Sequence, residues 1–184
     1  MAEPSHSDDA KLMASIATGD TAALGELVAR HQEKVLALAL RTLGRRDLAE
    51  DAAQDVFVKV FRAARRYRPR AKFTTWLYRI VVNHCLDMLR KAKRRKLLAG
   101  DLPPAPAEAD AATQLEASET ATRVRQAVGA LPARQRIAII LHRYHEMSHS
   151  AIAEATGWSQ SAVESLLVRA YAALRVALAD LQDP

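Results

Sequence analysis

Between positions 100 and 112 the chain reads GDLPPAPAEADAA, and no other stretch limits the fold as sharply. Three prolines among small and acidic residues, with one leucine, cannot bury enough apolar surface to join a core. The stretch therefore reads as a flexible acidic linker over 98–115, and it divides the 184 residues into two parts. Both parts read as helix. Ala, Leu, Arg and Glu dominate, aromatic residues make up only 5%, glycines number six, and no alternating run of β-branched residues marks a strand. The expected fold is all-α: a disordered tail over 1–10, a helical bundle over 11–97, the linker, and a second helical domain over 116–184.

Charge is partitioned on the same boundary. From Arg62 to Lys96 there are thirteen Lys and Arg against one acid, Asp87. From Leu97 to Thr122 there is no Lys or Arg, and there are five acids. The net charge of +6 suits a polyanionic partner, and the basic stretch is where such a partner belongs.

In the first domain Asp20 is placed to cap a helix whose inner face carries Leu24, Leu27, Val28, His31, Val35, Leu38 and Ala39. A second helix from about Asp47 carries Asp47, Glu50, Asp51 and Asp55 at i, i+3, i+4 and i+8, one compact acidic face. A basic loop, RYRPRAK, leads into a long helix from Phe73, with Trp76 or Leu77, Ile80, Val81, His84 and Met88 inward. Tyr67, Phe73, Trp76 and Tyr78 lie among the basic residues, where aromatic rings can stack on unpaired bases. Phe73 and Trp76 are also expected to be at least partly core.

The second domain opens with Pro132 at a first helical turn and an apolar face of Ile137, Ile140, Leu141 and Tyr144. Ser148 then caps a short helix, Gly157 supplies a left-handed turn, and Ser159 caps the next helix, which buries Val163, Leu166, Leu167 and Ala170. Short helix, glycine turn and capped second helix make a helix-turn-helix. Gln160, Ser161, Glu164, Ser165 and Arg169 on its second helix are the candidate DNA contacts. With no Lys after position 96 and an acid at 164, DNA affinity of this domain alone should be weak.

One motif points elsewhere. HEMSH at 145–149 fits H-E-x-x-H, in which two His on one helical face hold zinc beside a glutamate base. Ser148 lies between the two His and is the strongest N-cap nearby, so the helix should restart there and part His145 from His149. No metal site and no cofactor are expected. The single cysteine, Cys85, excludes an internal disulfide and fits a reducing, cytoplasmic setting. The N-terminal residues contain no apolar signal-peptide core, and no apolar run reaches membrane-spanning length.

Residues 47–95, from DLAEDAAQDVF through FTTWLYRIVVNHCLDMLRKAKRR, resemble conserved region 2 of bacterial extracytoplasmic-function (ECF) sigma factors. Residues 130–175, from ALPARQRIAIILHRY to LVRAYAALR, resemble region 4. The resemblance implies a non-enzymatic transcription factor that binds core RNA polymerase, at the β′ clamp helices and the β subunit. It places Asp47, Glu50, Asp51, Gln54 and Asp55 on the clamp. It assigns Arg66, Arg68, Arg70, Lys72, Phe73, Thr74, Thr75, Trp76, Arg79 and Asn83 to recognition and melting of the promoter −10 element. Residues 148–169 become the −35 reader. It further implies an anti-sigma factor, membrane-associated in this family, as a regulatory partner. Many family members carry Lys-Ser-Arg in the recognition helix where this chain has Glu164, Ser165 and Leu166.

Overall fold

The computed structural model describes residues 6–69, 71–99 and 119–181, and these residues contain helices and no strand. The first half comprises α1 (His6–Ala17), α2 (Thr21–Leu43), α3 (Arg46–Ala63), a 3-10 turn (Ala64–Arg66) and α4 (Phe73–Ala99). The second comprises α5 (Glu119–Ala130), α6 (Ala133–Arg143), α7 (His149–Thr156) and α8 (Gln160–Ala177), with a closing 3-10 turn (Ala179–Leu181).

Local chemistry sets the helix ends. The Asp20 carboxylate accepts from the backbone N–H groups of Ala22 (2.9 Å) and Ala23 (3.0 Å), satisfying two donors that the first turn of α2 leaves open. Gly44, at φ +75°, closes α2 by donating its N–H to the Leu40 carbonyl at 2.8 Å. Between these caps Ala23, Leu27, His31, Val35, Leu38 and Ala39 recur at helical spacing and are buried. Leu24 and Val28, expected inside with them, are only half-buried at the edge of that stripe. Ala49, Ala52, Val56 and Val60 of α3 and Phe73, Leu77, Val81, Val82 and Cys85 of α4 complete this core. The second half packs around Ile137, Ile140, Leu141, Ile152, Val163, Leu167 and Ala170.

Part of the segment expected as an N-terminal tail over 1–10 is helical. Helix α1 begins at His6, and Asp9 is buried with its Oδ2 accepting from His31 Nε2 at 3.1 Å. Arg30 Nη1 lies 3.5 Å from the other Asp9 oxygen. An N-terminal acid read in isolation belongs to solvent. A buried histidine in α2 supplies the reason to bury it, because a polar group in a core needs a partner. Asp9→Ala should destabilise the protein by about 1–3 kcal/mol, since it strands a buried imidazole. Chemical denaturation measures this directly, and an unchanged midpoint would return the segment to the solvent.

Candidate polymerase- and DNA-binding surfaces

Asp47, Glu50, Asp51, Gln54 and Asp55 are all exposed on α3. Three of them have basic neighbours. Arg45 holds Asp47 with its guanidinium (Nε to Oδ1 3.0 Å), and that hydrogen bond keeps the Asp47 carboxyl below its ordinary range. Arg46 Nε donates to Glu50 at 2.8 Å. Asp55 Oδ2 lies 3.3 Å from His84 Nε2 of α4, while Lys59 Nζ approaches His84 Nδ1 at 2.5 Å. Burial first, then the Lys59 charge, pushes His84 below the usual imidazole range. Glu50 and Gln54 also rim a groove of about 300 Å³ between α2 and α3, whose apolar floor includes Val28, Leu36, Ala53 and Phe57.

The basic candidates divide between surface and core. Arg66, Arg68, Lys72, Arg79 and Asn83 are exposed, and Arg70 lies outside the described residues. Thr74 and Trp76 are half-buried. Phe73 is fully buried, with its ring centroid 5.1 Å from that of His31, 5.6 Å from Trp76 and 6.0 Å from Tyr67. Thr75 is also buried, 8% exposed. Phe73 and Thr75 are therefore unavailable to DNA in this conformation. The first turn of α4 directs them into the bundle, where the aromatic cluster anchors the basic loop to the α2 core. Tyr67 and Trp76 meet edge to face at 4.9 Å on the outer side of that cluster.

The helix-turn-helix follows the expected chemistry. Ser148 Oγ accepts from Ala151 N, and Ser159 Oγ accepts from Ala162 N, each at 3.2 Å. Gly157 turns the chain at φ +75° and donates its N–H to the Ala153 carbonyl. Gln160, Ser161, Glu164, Ser165 and Arg169 are all exposed along α8. Gln160 Nε2 donates to Glu164 Oε1 at 3.3 Å, and His149 Nδ1 lies 3.9 Å from the same oxygen. Leu166 is buried at 8% exposure, so of the two positions that depart from Lys-Ser-Arg it belongs to the core, whereas Glu164 is exposed.

HEMSH is interrupted as its serine predicts. Helix α6 ends at Arg143, Glu146 takes a left-handed φ of +51°, and α7 starts after Ser148. His145 Nδ1 is 3.0 Å from the Tyr78 hydroxyl of α4, whereas the His149 ring packs 5.4 Å from that of His142. The two His thus face different neighbours. Burial, with Arg41 and Lys34 nearby, pushes His145 down to about 4, so its imidazole is neutral near neutral pH. Cys85 is buried and its thiol is pushed up to about 12, a packing residue and not a reactive thiolate.

One set of contacts escaped the sequence reading. Arg136 Nη1 donates to the Thr42 carbonyl of α2 at 2.9 Å, Arg79 Nη2 donates to the Glu154 carbonyl of α7 at 2.5 Å, and the Arg41 guanidinium lies 4.4 Å above the Tyr144 ring. Tyr144, expected inward, is instead 43% exposed beneath Arg41. These contacts join the two halves, and no periodicity along the chain announces them.

An acidic helical face beside a basic helix, followed by a capped helix-turn-helix, defines a two-module all-helical protein of the kind built around a helix-turn-helix. Residues 27–95 match the sigma-70 region 2 family and residues 121–174 match sigma-70 region 4. The chain is 36% identical over 171 residues to the ECF RNA polymerase sigma factor SigM of Mycobacterium tuberculosis, covering 90% of this chain and 82% of that protein. It is 34% identical to the RNA polymerase sigma factor CnrH of Cupriavidus metallidurans, covering 92% and 94%. The structure of CnrH in complex with the cytosolic domain of CnrY superposes with a TM-score of 0.69 at 32% identity, covering 96% of this chain and 99% of that one. A sigma factor RpoE of Bartonella quintana, in complex with the anti-sigma factor NepR, shares the fold with a TM-score of 0.71 at 24% identity, covering 84% and 95%. This chain belongs to the extracytoplasmic-function sigma factors of RNA polymerase. Among the described residues, no helix is long and apolar enough to cross a membrane.

Proposed function

We propose that the protein binds core RNA polymerase through the acidic face of α3, with Asp47, Glu50, Asp51, Gln54 and Asp55 docking the clamp helices of β′ and further contact made to β. It then directs initiation at its promoters. The surface basic residues Arg66, Arg68, Arg70, Lys72, Arg79 and Asn83, with the Tyr67–Trp76 pair, engage the opening −10 element. Gln160, Ser161, Glu164, Ser165 and Arg169 face the −35 element. The protein performs no covalent chemistry; its work is recognition and strand separation in the cytoplasm. Between rounds it is held by an anti-sigma factor, membrane-associated and analogous to the CnrY whose cytosolic domain binds CnrH.

The observation that carries this reading is the order of two sigma modules on one chain, each with its expected polar residues largely exposed. Electrostatics favours it as well. The basic stretch of α4 offers phosphate contact, while the acidic α3 face would repel DNA and suits a basic protein surface. Flipping a base out of the stack is a physically sensible way to read it within a duplex being opened. Run-off transcription with core polymerase and promoter fragments from the protein's own genome tests the proposal. Defined transcripts that require the protein are the expected result; failure to program core enzyme on every fragment would remove the sigma reading.

A further inference from the structure

We propose that His84 of α4 is a positioning residue for the polymerase-docking face of α3, its ring keeping Lys59 from pairing with Asp55. The proposal rests on the assignment of Asp55 to core polymerase. An acid and a lysine four residues apart on an exposed helix face can pair directly, and such a pair would hold the Asp55 charge within α3. Here the two side chains meet different nitrogens of one imidazole from the neighbouring helix. Lys59 Nζ lies 2.5 Å from His84 Nδ1, and Asp55 Oδ2 lies 3.3 Å from His84 Nε2. The His84 side chain is only 12% exposed against 66% for Asp55, so the wedge is fixed while the carboxylate beside it stays open to a partner.

The neighbours also fix where the ring carries its proton. An ammonium group only donates, so Lys59 donates to Nδ1 and that nitrogen is bare. The proton of the neutral ring then sits on Nε2, the atom beside Asp55. Nε2 is buried and completes no hydrogen bond, so Asp55 has an N–H nearby without being captured by it. A second proton would reverse this arrangement. It would occupy Nδ1, expel the Lys59 ammonium and place a cation 3.3 Å from Asp55. The charged groups facing the ring are Lys59 and Asp55 from α3, with Asp87 and Lys91 from α4 itself. Asp87 is already held by Arg90. Burial and then Lys59 outweigh the two acids, so the ring takes that proton only below the usual imidazole range. A basic surface docked on Asp55 disfavours the extra proton further. Polymerase affinity should therefore fall as pH drops through the titration of His84.

The test measures binding of the full-length protein to core polymerase from about pH 8 down to about pH 5, the range in which histidine titrates. His84→Gln offers Lys59 a neutral acceptor and Asp55 a donor. It should bind like the parent at the upper pH and lose the parent's additional fall at the lower one. His84→Ala lets Lys59 reach Asp55 and should weaken binding about fivefold at the upper pH. Adding Lys59→Gln to His84→Ala should return affinity to within about twofold of the parent, because no cation then remains to take Asp55. A ring that only fills space behaves otherwise. Removing Lys59 would not relieve the alanine loss, and the parent and His84→Gln would share one pH profile; either result overturns the proposal. The glutamine comparison decides alone if circular dichroism shows that the alanine variants lose helix. A parent that binds no core polymerase at any pH, or binds undiminished with Asp51 and Asp55 both reversed to Arg, removes the docking assignment and the proposal with it. A parent that binds through that face but is indifferent to His84 removes only the role of His84.

Discussion

Phe73→Ala should lower stability by about 3–5 kcal/mol, the loss typical of emptying a large aromatic site in a core. The family resemblance places this residue among the −10 contacts, but its side chain is fully buried against His31, Tyr67 and Trp76. Truncation would leave a void where α4 meets α2 and would release the basic loop that the aromatic cluster anchors. Chemical denaturation should show a lower midpoint, and Phe73→Leu should recover much of it by refilling the volume. A residue acting only on DNA behaves differently: its alanine variant keeps the parent midpoint and loses single-strand affinity. That outcome would show that Phe73 leaves the core when DNA binds.

Reversing two charges on α3 should produce the largest functional effect. Asp51→Arg with Asp55→Arg is expected to weaken binding to core polymerase by about a hundredfold, roughly 2.7 kcal/mol. Replacing complementary charges with like charges penalises both encounter and the docked state. Both side chains are exposed, so the helix should survive. Asp55 does have a neighbour, His84, and an arginine at 55 would stand beside that ring and Lys59. Exposed pairs contribute little to stability, so the cost should stay below about 1 kcal/mol. Asp51→Arg alone avoids that contact and should show part of the same loss. Unchanged polymerase affinity in the double variant, measured by fluorescence anisotropy or calorimetry, would remove the acidic face from the interface.

Much of the fold was legible because its signals are local. Asp20, Ser148 and Ser159 bond amides two or three residues away, and Gly44 and Gly157 take a backbone region that other residues avoid. Helical spacing was likewise enough to place Leu27, His31, Val35 and Leu38 on one buried face. The interruption of HEMSH followed from one serine. Errors occurred where a residue's fate depended on a distant partner. Asp9 looked like tail until His31, in another helix, provided a buried partner. Tyr144 fitted an inward face, yet it sits exposed beneath Arg41.

By itself the sequence determined the all-α class, the division into two modules, the helix caps and the exposed acidic and recognition faces, because caps and amphipathic stripes act within a few residues along the chain. Only the tertiary structure decided which members of the basic stretch enter the core and which arginines bridge the halves. Burial of Phe73 and the bonds of Arg79 and Arg136 depend on surfaces remote in sequence. An orphan carbonyl at a helix end accepts whichever donor the fold brings to it, and spacing along the chain carries no record of that meeting.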